Sequence, residues 1–181
     1  MKVDQQRMLG EIDAKIAATS NPRHRAPLKT VREHVSAELD GRDLNRIMNT
    51  LCPDPQYHFW GAGIGDFGPK GREAVAAFYK KFLDDGYNKH QHLFERIVVD
   101  DNNVVLDGEM RIVFPGKALR GMGLQVDDAD ASYLFSYRAA AIFSFDDDGK
   151  CLCEDSYSDG LPTLERLIKL KPEEVPERIT A

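Results

Sequence analysis

Three residues of this chain could together do acid–base chemistry: Asp40, His92 and Asp159. A carboxylate beside an imidazole fixes its tautomer and raises its basicity, which makes a general base. Each also has a plain structural reading. Asp40 can sit in a turn, His92 can open a strand, and Asp159 can cap a closing helix. Other motifs carry weaker chemistry. Gly63-Ile64-Gly65-Asp66-Phe67-Gly68 spells G-x-G-x-x-G. A dinucleotide site needs that loop inside a parallel βαβ unit, and here Asp66 would set a negative charge beside a pyrophosphate. A turn-rich loop at a pocket mouth is the better reading. His90-Gln91-His92 would put two rings on one face of a strand, but no third ligand of convincing spacing follows. Cys151-Leu152-Cys153 lacks a partner pair and reads as strand. Asp146-Asp147-Asp148-Gly149 is too short for a calcium loop and reads as a solvated hairpin turn. The expectation is no metal and no cofactor.

The elements that must position these residues follow from periodicity. Met8, Ile12 and Ile16 form a first helical stripe over residues 3–18, and the segment 20–27 breaks it. Val31, Val35 and Leu39 mark a second helix, and Leu44, Ile47, Met48 and Leu51 a third, joined by a tight Asp40-Gly41 corner. Pro53 and Pro55 end it, and Tyr57 to Trp60 is a short strand. Val75, Phe78, Tyr79, Phe82 and Leu83 define another amphipathic helix. The period then changes from helical to alternating. Strands are expected over 92–99, 104–114, 132–145 and 150–158, with Tyr133, Phe135, Tyr137, Phe143 and Phe145 on one face of the long strand. Residues 115–131 have no period, and a connection that long is functional, interfacial or mobile. Leu161, Leu164, Leu167 and Ile168 read as a closing helix. Helices first, then strands joined by turns, gives an α+β fold with an antiparallel sheet.

The chain has 181 residues, 42% of them hydrophobic, with 24 Lys+Arg against 30 Asp+Glu and a formal net charge of −6. That is one domain with one core. An acidic chain of this kind has no electrostatic footprint for nucleic acid, and anionic lipid would repel it. No apolar run is long enough for a membrane span, and the N-terminus has acids where a signal peptide needs apolar residues. Three cysteines suggest no disulfide framework. The reading is a cytoplasmic protein with no nucleic-acid and no membrane partner.

Four stretches carry a family resemblance. They are Glu38 to Leu44 with the apolar helix after it, Tyr57-His58-Phe59 leading to Gly71 to Val75 with Phe78-Tyr79, the long hairpins, and Gly149-Lys150 through Tyr157-Ser158-Asp159. The run from Val31 to Leu170 resembles the nuclear-transport-factor-2-like superfamily, and within it the SnoaL-like branch. The resemblance implies a cone: a curved antiparallel sheet wrapped around three helices, with a deep apolar pocket. Residues 1–26 would be an N-terminal helical arm, 27–171 the cone domain and 172–181 a tail. The superfamily holds isomerases, dehydratases, cyclases, epoxide hydrolases and non-catalytic binding proteins, so the fold leaves the function open.

Dehydratase-like members pair an Asp at the end of the first core helix with a His at a strand start, positions that Asp40 and His92 match. SnoaL-like cyclases use an Asp near the end of a late strand, which Asp159 matches. Dehydratase-like members often carry a tyrosine a turn before the helix Asp; here His34 and Val35 occupy that region. His92 also shares strand parity with Arg96, which belongs outside an apolar pocket unless a bulge intervenes. The implied function is a cofactor-independent lyase, isomerase or cyclase acting on a small apolar or polycyclic ring compound. Tyr57, Trp60, Phe78, Tyr79, Tyr133 and Phe135 would form the pocket walls. The rival is a non-catalytic ligand-binding or dimerisation module of the same fold. A homodimer through the outer sheet face is expected, because Leu134, Ala140 and Ile142 need a cover if the aromatic face lines the pocket.

Overall fold

The computed structural model describes residues 3–61, 63 and 65–177. Helix α1 (Gln5–Ala18) starts where the Asp4 side chain accepts the Arg7 amide, and α2 (Pro22–Asp40) where Asn21 does the same for Arg23. The break expected over 20–27 is therefore one turn wide. Pro22 opens α2 at its first position, where a missing N–H costs nothing, and the helix then runs through Pro27. The boundary expected at residue 26 falls inside this helix. α1 lies on the core, with Met8, Leu9 and Ile12 all buried. Gly41 ends α2 in the left-handed region at φ 63°, its N–H bonded to the Ala37 carbonyl. Helix α3 (Leu44–Met48) follows, as the Asp-Gly corner predicts.

Strand β1 (Leu51–Trp60) begins earlier than expected and contains both prolines. It tolerates them because it is the sheet's first strand, pairing with β5 (Cys151–Ser158) in a register that shifts between Leu51 and Gln56. Helix α4 (Arg72–Asp84) precedes β2 (His90–Val99) and β3 (Asn103–Pro115); a short α5 (Gly116–Gly121) then leads to β4 (Ser132–Phe145). The closing helix is absent from the described residues. Leu164–Arg166 makes one 3₁₀ turn, and β6 (Leu167–Lys169) pairs with Tyr133 to Phe135 of β4. Backbone pairing with β4 sets this segment as a strand, and Leu164 and Ile168 stay exposed.

The strands form a curved, unclosed sheet in the order β1-β5-β4-β3-β2, with β6 on β4. All pairs are antiparallel except β1 with β5. The alternation read along β3 and β4 holds: Val104, Leu106, Ile112 and Phe114 are buried with Tyr133, Phe135, Phe143 and Phe145. The concave face packs α1, α2 and α4 into one core cluster. This is the expected α+β cone. On the convex face Leu134 is covered within the chain by Val3, Val113 and Leu170. No described helix is long and apolar enough to cross a membrane.

Candidate active site

The concave face encloses a cavity of about 370 Å³. Trp60, Phe78, Tyr79 and Phe135 line it, with Phe59, Phe82, Phe94, Phe114 and Tyr137. Two of the expected wall residues do not. Tyr57 lies behind Tyr79, hydroxyl to hydroxyl at 3.1 Å. Tyr133 sits at the start of β4 under the 116–131 connection, where its hydroxyl bonds Asp127 and Asp128.

One end of this aromatic cavity is polar. Val31, His34, Val35 and Glu38 recur at i, i+3, i+4 and i+7, so α2 turns an imidazole and a carboxylate inward on its apolar stripe. His34 Nε2 lies 3.3 Å from Glu38 Oε1, and His90 Nε2 lies 3.8 Å from Glu38 Oε2. The Tyr79 hydroxyl is 2.8 Å from His34 Nε2. On the other side of the ring, His34 Nδ1 is 2.7 Å from Thr50 Oγ1. Thr50 spends its only hydroxyl proton on the Ile47 carbonyl at 2.6 Å. Its oxygen must therefore accept from His34, so Nδ1 carries a proton and Nε2 faces Glu38 and Tyr79.

The electrostatics follow from this packing. Burial opposes charge on both His34 and Glu38, but their mutual attraction outweighs it: His34 is raised above the ordinary histidine value and Glu38 lowered below the ordinary carboxylate value. Glu154 of β5 lines the same cavity. Burial, and then the Glu38 charge, push it up to about 7, against the help of Ser156, whose hydroxyl donates to it at 3.1 Å. Two carboxylates thus share one apolar site, one held ionised and the other poised to carry a proton. Burial holds the Tyr57 and Tyr79 hydroxyls well above their usual range, so both stay protonated. Burial lowers His90, and takes His92 down to about 4.

The sequence-predicted catalytic residues are not brought together. A bulge between Phe94 and Arg96 breaks the strand parity, so His92 faces the cavity while Arg96 pairs with Asp107 outside. No hydrogen bond or ion pair joins His92 to Asp40. Asp40 instead pairs with Arg42 and, at 2.9 Å, with Arg46 Nη1. The reason is helical phase: Asp40 follows Glu38 by two residues and so points away from the inward stripe. Asp159 pairs with Arg166 at 3.0 Å beside the cavity mouth. Replacing Asp40 by Asn should therefore cost about 1–2 kcal/mol of stability through the lost charged bonds and leave ligand affinity in the cavity unchanged. A tenfold loss of affinity in that variant, measured by titration, would return Asp40 to the site.

The glycine-rich loop binds its own acid rather than a phosphate. Asp66 Oδ1 accepts the Phe59 and Gly68 amides at 3.0 Å each, and Oδ2 meets Lys70 at 2.8 Å. Ile64 lies outside the described residues. Asp146 to Gly149 is a hairpin turn closed by Asp146 on Lys150, as expected.

Residues 31–152, about two thirds of the chain, match the family model of the SnoaL-like domain. The chain belongs to the SnoaL-like domain family. Solved structures agree on the fold. A protein from Jannaschia, provisionally named a SnoaL-like polyketide cyclase, superimposes with a TM-score of 0.58 at 17% identity, over 78% of this chain and 90% of that one. An NTF2-like protein from Burkholderia xenovorans gives 0.56 at 13%, over 79% and 96%. The epoxide hydrolase/cyclase-like enzyme SalBIII, with a role in pyran ring formation in the polyether salinomycin, gives 0.54 at 10%, over 80% and 95%. No curated protein matches the sequence.

Within this SnoaL-like domain, the inward acids that sequence reasoning missed left one trace. His34 and Glu38 stand at i, i+4 on the same apolar stripe as Val31 and Val35, where a solvated pair does not belong. Glu154 left none, because the irregular pairing near Cys151 hides which face it takes.

Proposed function

We propose that this SnoaL-like domain is a cofactor-independent acid–base enzyme, a lyase, isomerase or cyclase, for a small, mostly apolar ring compound. The observation that carries the reading is the pair of carboxylates in one aromatic cavity, Glu38 ionised and Glu154 pushed up to about 7. Environments that drive two acids apart assign a base and an acid. Glu38 takes a proton from carbon beside a carbonyl. Protonated Glu154, backed by Tyr57 and Tyr79, holds or protonates the oxygen on which charge develops. His34, as the imidazolium, neutralises Glu38 in the resting site, and Thr50 fixes the ring's orientation by accepting its Nδ1–H. The roles first expected of Asp40 and Asp159 pass to these residues, and His92 is a neutral part of the wall. The relationship to cyclases supports a ring substrate only at the level of the fold.

The test is hydrogen exchange. With 2-tetralone in deuterated buffer, the wild type should speed deuterium uptake beside the carbonyl, and Glu38→Gln should lose roughly 10²–10⁴ of that acceleration. Tight binding of such ketones with no exchange above buffer would favour the binding module instead.

A homodimer through the convex sheet face and a cytoplasmic location remain proposals. Ala140 and Ile142 on that face are half-buried, whereas Leu134 already has its cover. A monomeric mass by light scattering at micromolar concentration would remove the dimer.

A further inference from the structure

At the β1 edge of the sheet, the parallel register of β1 and β5 sets His58 directly opposite Asp155 and Gln56 opposite Cys153. Successive side chains alternate faces, so Cys153 and Asp155 emerge on the same side of β5 as each other. A ring nitrogen of His58, Sγ of Cys153 and a carboxylate oxygen of Asp155 lie within 4.8 Å of one another. All three residues are half-buried. We infer that His58, Cys153 and Asp155 form a binding site for a zinc-class divalent cation that clips β1 to β5 at the edge of the sheet.

Three features support the assignment. The donor set is nitrogen, thiolate sulfur and carboxylate oxygen, which suits zinc and leaves a fourth tetrahedral position open. Ligand atoms around a tetrahedral zinc stand roughly 3.3–3.8 Å apart, so these three need draw together by no more than about 1.5 Å. The imidazole is also already oriented. Asp66 Oδ2 sits 2.7 Å from His58 Nδ1, and Asp66 is itself fixed by the Phe59 and Gly68 amides. A carboxylate on one ring nitrogen is the support that metal-bound histidines use, with the metal on the other nitrogen. Residues 67–70 lie along one edge of β1 and β5 along the other. Lys70 Nζ is 3.1 Å from Nδ1 and 2.8 Å from Asp66, on the loop side of the ring. A thiol binds such a cation as the thiolate, so metal uptake releases a proton.

Cobalt(II) is the probe, because a cobalt–thiolate bond has a charge-transfer band that cobalt bound by oxygen and nitrogen alone lacks. Untagged full-length protein should take up one cobalt per chain with that band, and zinc should displace it. Cys153→Ser should abolish the band. His58→Ala and Asp155→Asn should each weaken binding at least tenfold, and Asp66→Asn by roughly tenfold through the imidazole alone. Thermal unfolding should shift upward with added zinc in the wild type and not in Cys153→Ser, which also shows whether each variant is folded. The absence of a thiolate band in the wild type, or a band that survives Cys153→Ser and vanishes in Cys52→Ser or Cys151→Ser, overturns the site. Neither result touches the acid–base reading, since none of these residues is among its acids or bases.

Discussion

Glu154→Gln should stabilise the protein at pH 8 by about 2–3 kcal/mol more than it does at pH 4.5, a difference of about 4–10 °C in Tm. Glu154 has its folded pKa raised to about 7 from an ordinary 4.5. The folded state therefore binds the proton more tightly than the unfolded chain. Its contribution is fully present below pH 4.5 and is lost as pH rises through 7. Glutamine has the same shape as the protonated acid and cannot ionise, so it escapes that loss. Denaturant melts of both proteins across the range make the test. Parallel stability curves from pH 4.5 to 8 would mean that Glu154 is not held protonated, and the acid of the proposed mechanism would be lost with it.

The second large effect is at Glu38. Replacing it by Ala should lower stability by about 3 kcal/mol near pH 5.5, because it strips the counter-charge from buried His34 and breaks the contact to His90. The pH dependence has two limbs. Glu38 is lowered from 4.5, so its contribution is present above that value and is lost as pH falls through its folded pKa. His34 is raised from 6.5, so its contribution is present below that value and is lost as pH rises through its folded pKa. The penalty for Glu38→Ala should thus be greatest between 4.5 and 6.5 and shrink on both sides. A flat penalty below 1 kcal/mol would show that the pair is solvated. Thr50→Val should move the titration of His34, seen by nuclear magnetic resonance, while Thr50→Ser restores it.

Both predictions concern residues that a reading of the chain alone passed over, and the cause is specific. Local pattern was enough for the elements that build the cone. Alternation along 104–114 and 132–145 placed β3 and β4 with their inward faces, and the Asp40-Gly41 corner placed the end of α2, because a strand's period and a left-handed cap are properties of neighbouring residues. The ordered run of helices and strands was enough for the SnoaL-like family. Local pattern failed where a distant partner decided the outcome. Residues 167–169 became a strand because β4 offered them backbone bonds. Arg96 left the parity of His92 because of a one-residue bulge against Asp107. Asp40 was taken by Arg46 across the α2–α3 corner, while Glu38, half a helical turn earlier, met His90 from another element. Charges are paired through space. Only the folded chain sets which carboxylate meets which imidazole, and only burial in a shared cavity lifts the Glu154 pKa to about 7.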